Sequence, residues 1–291
     1  MNALIDGFIL KLKEGCTAAI QNNLRSTFSV IDDRVSETGY MVSLTPQGWN
    51  GTIFNFIHDL SETVIIPIAG LIITYVLIYE LLTMVMDKNN FHDFDSSLFF
   101  RYLGKACIAV VLVSHTSEIV EALFEVGGNI AATATSHISG STNLNMDYAL
   151  YNLLWDQIDT MSLAELAFMV IETLIIRFAV LIMGIYIMVL MYGRFMEIYL
   201  YMSVAPIPFA TLTNKEWGSI GTNYIRCIIA LAFQGFLIMA CVGIYATLIS
   251  SLNTAGTSFA DLLNEILIYT VLLVTALGKT SSFSKSIFNA H

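Results

Sequence analysis

Residues 193–237 read GRFMEIYLYMSVAPIPFATLTNKEWGSIGTNYIRCIIALAFQGFL. The stretch begins inside an apolar run, breaks at Pro206 and Pro208, and becomes apolar again after a short polar turn. Each proline ring removes a backbone donor and clashes with the carbonyl four residues earlier, so an undisturbed helix is not expected. In a bilayer the released backbone groups need partners in protein or in water. The segment is therefore predicted to lie inside a protein assembly and not against lipid.

The composition of the whole chain is that of a membrane protein. Of its 291 residues, 56% are hydrophobic and 12% are charged, and the mean hydropathy is +0.71. Soluble domains carry about twice this charged fraction. Apolar runs of roughly 20 residues, the length that crosses a bilayer, recur from residue 62 onward. The fold class is therefore predicted to be all-α and polytopic.

About five transmembrane helices are predicted, and the proline-broken segment is added as a re-entrant or sixth one. The first is expected to begin near residue 63 with a capping box, Asp59 and Glu62, and to carry Pro67 in its first turns. The loop before it is placed at residues 38–52. The five predicted spans cover approximately residues 63–86, 103–126, 163–192, 224–252 and 259–277.

An amphipathic helix is predicted over residues 2–37, because apolar side chains recur there at steps of three and four. It is expected to lie on a membrane or a partner, or to pack on the protein's own bundle. Residues 1–60 are assigned to an extracytoplasmic amphipathic region and residues 61–291 to a transmembrane bundle. Residues 127–161 are predicted to form an external connector, flexible at first and then helical.

The basic residues predict the orientation, since Lys and Arg collect in cytoplasmic connectors. Lys88, Arg101 and Lys105 place the first connector inside the cell, whereas residues 127–161 contain no Lys or Arg. If the proline segment enters the membrane and returns, the later basic residues also lie inside. The amino terminus is therefore predicted outside and the carboxyl terminus in the cytoplasm.

Ionisable side chains interrupt the second and third predicted spans. His115, Glu118 and Glu121 follow one another at steps of three, on one side of a helix. Groups of this kind at membrane depth face a bundle interior or water. Arg177, on the neighbouring span, is the predicted partner of Glu118 or His115. These four residues are hypothesised to form an intramembrane polar stripe, satisfied across helices, facing a wet lumen or carrying protons or ions.

No catalytic or cofactor-binding arrangement is recognised. Residues 278–280 (Gly-Lys-Thr) resemble the end of a phosphate-binding loop, but Leu273 stands where that loop requires glycine. The four cysteines lack the spacing of a zinc site or a disulfide framework. The net charge of −10 argues against a nucleic-acid-binding surface. The protein is predicted not to be an enzyme, and no metal or cofactor is expected.

In layout, this order of elements resembles the TrbL family over most of the chain. That family is the polytopic inner-membrane subunit of type IV secretion systems, and the likeness is greatest to conjugative-transfer members from Gram-positive bacteria. In motif, the resemblance rests on residues 205–209 (APIPF) and 232–235 (AFQG). It implies a channel or scaffold subunit that associates with further copies of itself, with other subunits and with separate ATPases. It also implies passage of relaxase-bound single-stranded DNA, as a transient substrate, or of protein across the bacterial cell membrane.

The candidates for a gate or a subunit contact lie in these two motifs: Pro206, Pro208, Gln234 and Gly235. The alternative function is a stand-alone ion-coupled permease that uses the polar stripe at His115 and Glu118. No internal repeat of the kind found in many transporters is recognised, and this counts against the permease. A third reading is a membrane scaffold without a pore.

Overall fold

The computed structural model describes residues 2–87, 96–139, 161–252 and 258–291. Within these ranges the regular structure is helical, without strands. Four helices are long and apolar enough to cross a membrane, and a bent pair adds a fifth crossing if its two helices form one span. The predicted all-α polytopic class with about five spans is therefore confirmed. The helix expected in the second part of the 127–161 connector lies outside the described residues.

The helices follow the chain in this order: α1 (Asn2–Ser43), α2 (Pro46–Trp49), α3 (Gly51–Leu60), α4 (Ile66–Asp87), α5 (Ser96–Ser114), α6 (Thr116–Ser139), α7 (Leu163–Val204), α8 (Pro206–Thr211), α9 (Gly218–Ser250) and α10 (Phe259–Ile287). A π-helical turn, Ser61–Ile65, joins α3 to α4. The candidate spans are α3 with α4, α7, α9, α10 and the bent pair of α5 and α6.

The loop predicted over residues 38–52 is largely helical, and that prediction was wrong. Helix α1 continues to Ser43, and α2 and α3 follow after single short breaks. Thr45 caps α2 by accepting the Gly48 N–H at 3.0 Å. Asn50 caps α3 by accepting two backbone N–H groups at 3.1 Å each. The loop was predicted from Gly39, Pro46, Gly48 and Gly51, but Thr45 and Asn50 beside them cap helices, a role that Thr and Asn fill well.

The first span begins earlier than predicted. Its helix starts at Gly51, so Asp59 and Glu62 lie inside the helix and do not form a capping box. Pro67 also lies inside a continuous helix instead of near its start. The π-helical turn directly before it shifts the backbone hydrogen bonds by one residue, as π-bulges do in α-helices. This shift accommodates a residue that cannot donate.

The second span is bent, which corrects the prediction of a single segment over residues 103–126. Helix α5 ends at Ser114, α6 begins at Thr116, and the two axes differ by 64°. The Thr116 hydroxyl donates to the carbonyls of Leu112 and Val113, at 2.8 and 3.0 Å. Hydroxyls that bond backward in this way bend helices. Beyond the bend α6 continues to Ser139, so the predicted flexible part of the connector is helical as far as that residue.

The chain divides into two compact units, and each is discontinuous in sequence. Unit 1 comprises Met1–Val42, Ala131–Met191 and Phe236–Thr280, and unit 2 comprises Ser43–Ile130, Tyr192–Gly235 and Ser281–His291. The predicted boundary at residue 60 concerns the side of the membrane on which each segment lies. That assignment stays a prediction.

In unit 1, α1 packs along the first half of α7. The Lys13 ammonium donates to the Met161 carbonyl at 2.7 Å, and the Asn23 amide donates to the Thr173 hydroxyl at 3.2 Å. Both contacts join residues about 150 positions apart, so the two helices run in the same direction. The amino-terminal helix therefore packs on the protein's own bundle, which is one of the two positions predicted for it.

In unit 2, aromatic side chains fix α2 against the second half of α7. The Trp49 ring stacks on the Phe195 ring with centroids 4.5 Å apart and an interplanar angle of 3°. The Tyr199 hydroxyl donates to the carbonyls of Pro46 and Asn50, at 2.8 and 3.2 Å. A buried tyrosine hydroxyl needs such an acceptor. Here it bonds to two carbonyls where the chain passes from α2 to α3.

Candidate functional site at the proline turn

Residues 205–217, called the proline turn, connect α7 to α9 in unit 2. Helix α7 ends at Val204, and Pro206 begins the six-residue helix α8. Ala205 between them keeps helical dihedral angles, φ −53° and ψ −39°. The predicted break at the prolines is thus confirmed in position, but it is short. Residues 195–204, predicted to belong to the broken segment, are continuous with the 42-residue α7.

The proline turn is closely packed within unit 2. Helix α8 contacts α4 and α5, and its buried side chains include Pro206 and Phe209. The first turn of α9 also crosses the proline turn so closely that the two backbones are in contact. A Cβ atom at Gly221 would lie 2.5 Å from the Pro208 carbonyl oxygen and 2.7 Å from the Leu212 side chain. Only glycine fits this crossing without a shift of the backbone.

Gly221→Val is therefore expected to destabilise the protein by about 1–3 kcal/mol, the usual cost of overpacking. Gly70→Val in α4 is the matched control, because nothing lies within 4 Å of a Cβ atom at that position. The measurement is the fraction of monodisperse protein that remains in detergent after heating at a series of temperatures. Coincident curves for the two variants would contradict the close crossing.

Beneath the turn lies a polar cluster formed by Glu80, Lys105 and Asn214. One Glu80 carboxylate oxygen accepts from the Lys105 ammonium at 2.5 Å, and the other accepts from the Asn214 amide at 3.3 Å. Asn214 is 4% exposed and the Glu80 side chain 14% exposed, whereas the Lys105 side chain is 45% exposed. The cluster joins α4, α5 and the proline turn through one carboxylate.

Asn214 also organises the turn itself. Its side-chain oxygen accepts the backbone N–H groups of Glu216 and Trp217, at 2.8 and 3.0 Å. Its backbone carbonyl accepts the Gly218 N–H at 2.9 Å, where α9 begins. An asparagine in this role caps the helix that follows it. One buried residue thus determines both the start of α9 and the position of the turn above Glu80.

Aromatic rings hold the outer part of the turn against α4. The Trp217 ring stacks on Tyr75 and on Tyr79, with centroid distances of 5.4 and 5.2 Å. The Tyr79 hydroxyl donates to the Glu216 carboxylate at 2.8 Å. Trp and Tyr with such polar contacts are typical of the membrane–water interface. The arrangement indicates that this end of α4 lies at that interface.

The site positions backbone segments and contains no recognisable catalytic group. Within the described ranges, no cluster of three or more His, Cys, Asp or Glu side chains is placed to hold a metal ion. The polar cluster was not predicted from the sequence, although Lys105 was used to assign orientation. A signal was present, because Glu80 is an acidic residue within an apolar run, and such residues at membrane depth usually have a specific partner.

The four predicted gate or contact residues fall in two places. Pro206 is buried and Pro208 half-buried in the proline turn, while Gln234 and Gly235 are buried in α9. The turn crosses α9 at Gly221, and the rise from there to Gln234 is about 20 Å at 1.5 Å per residue. The two motifs are therefore not parts of one local site.

The predicted polar stripe begins at the bend between α5 and α6. His115 Nδ1 lies 3.1 Å from a Glu118 carboxylate oxygen, and these side chains are 55% and 77% exposed. Glu121 is half-buried one turn further on. Arg177 belongs to unit 1, where its guanidinium donates to the Asn23 side-chain oxygen at 3.3 Å. Its predicted pairing with Glu118 or His115 stays a prediction.

Taken together, the apolar helices and the buried polar contacts define a polytopic helical membrane protein with a closely packed proline turn. The chain matches the family model described as TrbL/VirB6 plasmid conjugal transfer like protein over residues 31–206, more than half of its length. It belongs to the TrbL/VirB6 family. The predicted family is thus confirmed, whereas the Gram-positive type stays a prediction. No curated protein gives a significant match.

Family membership makes the protein a component of conjugal transfer or type IV secretion, and a multi-pass protein of the bacterial cell membrane. It also indicates a place in a multi-subunit complex, and the family is one of structural membrane subunits, not of enzymes. The match runs from the second half of α1 to Pro206. It therefore includes His115 and Arg177, and it ends before the motif at residues 232–235.

Proposed function

We propose that the protein is a channel or scaffold subunit that helps to move relaxase-bound single-stranded DNA, or protein, across the cell membrane. The match to a conjugal-transfer family over residues 31–206 is the observation that carries this proposal. In the proposed machine, separate ATPases supply the energy and further copies of the chain and other subunits complete the passage. DNA is a transient substrate, in keeping with the net charge of −10.

In the proposed orientation the amino terminus lies outside the cell and the carboxyl terminus in the cytoplasm. The start of α1 and the 127–161 connector are then external, α1 follows α7 through the membrane, and the proline turn faces the cytoplasm. The exposed Lys215 of that turn supports this assignment, because Lys and Arg collect on the cytoplasmic side. The stacked Trp217 supports an interfacial position for the turn.

The test of the proposed function is affinity purification from native membranes, with the stoichiometry of the recovered subunits. The expected result is a large complex that contains several copies of the chain together with an ATPase. The second candidate is an ion-coupled permease, which the contact between His115 and Glu118 at a 64° bend favours. A purified chain that transports ions alone in liposomes, and recovers no partner, would replace the first candidate by the second.

The double change Pro206→Ala and Pro208→Ala tests the proposed role of the proline turn as a gate or subunit contact. Alanine restores backbone donors and favours one straight helix from α7 through α8. We expect near-normal membrane insertion together with loss of transfer or of complex assembly. Membrane abundance, co-purified subunits and transfer frequency are the three measurements. Unchanged transfer would show that the break has no functional role.

A further inference from the structure

Unit 1 has two exposed surfaces of opposite character. The first is the polar stripe of α1, distinct from the polar stripe predicted at His115, and it is the part of the outward face of α1 where charged and small polar side chains are exposed. Its members are Lys11, Glu14, Asn22, Arg25, Ser29, Asp32, Asp33 and Ser36. Their spacing places them along one side of the helix. Exposed apolar side chains lie at the two ends of α1, Phe8, Leu10 and Leu12 at its start and Tyr40 at its end.

The apolar stripe of unit 1 lies on α7 and contains no ionisable side chain. Its seven members are each more than half exposed: Phe168, Ile171, Ile175, Phe178, Ile182, Ile185 and Val189. They recur at steps of three and four, so they form one continuous side of the helix. A contiguous apolar surface of this length is not left in water by a stable protein.

The two stripes lie on neighbouring helices and at the same level along the helix axes, because α1 and α7 are parallel and in contact. Lys13 reaches the Met161 carbonyl at 2.7 Å near one end of the contact. Near the other end, a Cβ atom at Gly184 would lie 3.3 Å from the side chains of Val30 and Arg34. Both stripes extend through the range between these two contacts. No single solvent satisfies both surfaces, since charges avoid acyl chains and large apolar surfaces avoid water.

We propose that the polar stripe of α1 faces a water-filled space, whereas the apolar stripe of α7 faces lipid acyl chains. Lipid is the occupant favoured on the α7 side because α7, α9 and α10 all qualify as membrane spans and α1 does not. The exposed side chains of α9 and α10 in this unit include the large apolar Ile244, Ile268 and Leu272. Unit 1 is then a wall between lipid and water.

This inference rests on the proposed function, because the polar stripe of α1 would form one surface of the proposed channel. The stripe carries two basic and three acidic side chains, so its charges nearly balance. A surface that holds nucleic acid instead needs clustered Lys and Arg. The stripe therefore offers a hydrated surface along which a polypeptide or a protein-bound strand passes without strong attachment to phosphate.

The test uses single cysteines in a chain whose four native cysteines are replaced by serine or alanine. Asn22→Cys, Ser29→Cys and Ser36→Cys probe the polar stripe, and Ile175→Cys and Ile182→Cys probe the apolar stripe. The probe is a sulfonated, membrane-impermeant maleimide added to intact membranes that hold the assembled complex. We expect labelling at least about tenfold faster on α1, because the reactive thiolate forms in water and not in lipid.

Equal labelling of both helices would overturn the inference, since α7 would then lie in water. Unlabelled cysteines at Asn22 and Ser29 would also overturn it, because a partner would then cover the polar stripe. A second comparison keeps the native cysteines: Ser29→Glu is expected to leave membrane abundance unchanged, and Ile175→Glu to reduce it several-fold. Equal abundance of these two variants would count against the wall as well.

Failure of the surface assignment can be distinguished from failure of the proposed function. Subunit co-purification and transfer frequency are measured on the same cysteine-free chain. If that chain is recovered without partners from cells that transfer normally, the proposed function fails whatever the labelling pattern is. If the complex is recovered but α7 is labelled as fast as α1, only the assignment of the two surfaces fails.

Discussion

Gly127→Leu is expected to prevent accumulation of the folded protein, because no room exists for a side chain where α6 crosses α9 in unit 2. A Cβ atom at Gly127 would lie 2.6 Å from the Ala232 carbonyl oxygen and 2.9 Å from the Ala232 Cβ. The contacted atoms belong to the backbone and to a Cβ atom, so no rotamer change relieves the clash. Small residues that bring helix backbones together commonly stabilise packing inside membranes. The cost is expected at or above the upper end of the roughly 1–3 kcal/mol typical of overpacking.

The measurement is the amount of protein that is both in the membrane fraction and monodisperse in detergent. Gly104→Leu is the matched control, since Gly104 lies in α5 of the same unit and a Cβ atom there meets nothing within 4 Å. The control is expected to reach the wild-type amount, and Gly127→Ala to fall between the two. A Gly127→Leu protein as abundant as the control would show that the two helices separate at little cost.

Long apolar runs made the membrane class and the main spans predictable from the sequence. Helices α7, α9 and α10 follow directly from such runs, because a run of this length has few alternatives in lipid. The bend at His115 was not predictable in the same way. It depends on whether the Thr116 hydroxyl bonds to its own helix, and the sequence alone does not determine that choice.

The position of α1 shows a second limit of sequence reasoning. Apolar spacing identified the helix and its buried side, but periodicity does not say what covers that side. The covering helix is α7, and the contacts from Lys13 and Asn23 join residues about 150 positions apart. The same limit explains the missed polar cluster. Glu80 was visible as an acidic residue in an apolar run, whereas its partner Asn214 lies 134 positions away.

Glu80→Leu is expected to loosen the proline turn, because it removes the acceptor shared by Lys105 and Asn214. Breaking a buried ion pair on one side costs roughly 3–5 kcal/mol when the remaining charge stays buried. The Lys105 side chain is 45% exposed and can turn toward water, so a cost of about 1–3 kcal/mol is expected here. The buried Asn214 amide has no such route, and its loss of an acceptor directly affects the turn.

Limited digestion with trypsin measures this effect at the turn itself, since Lys215 is exposed within it. A cost of that size corresponds to roughly 5- to 150-fold in the opening equilibrium, and cleavage after Lys215 is expected to accelerate accordingly. Glu62→Leu is the matched control, because the Glu62 side chain is 56% exposed and its contact with His58 is 3.6 Å. The control is expected to leave the cleavage rate unchanged.

A double variant separates the ion pair from the role of Asn214. In Glu80→Leu with Lys105→Leu no charge remains unpaired, and replacing both partners of a pair costs less than removing one. Thermal stability is therefore expected to recover in part, while cleavage after Lys215 stays fast because Asn214 still lacks its acceptor. If cleavage also returned to the wild-type rate, the charge of Lys105 alone would explain the effect. The contact between Asn214 and Glu80 would then not be what holds the proline turn to α4.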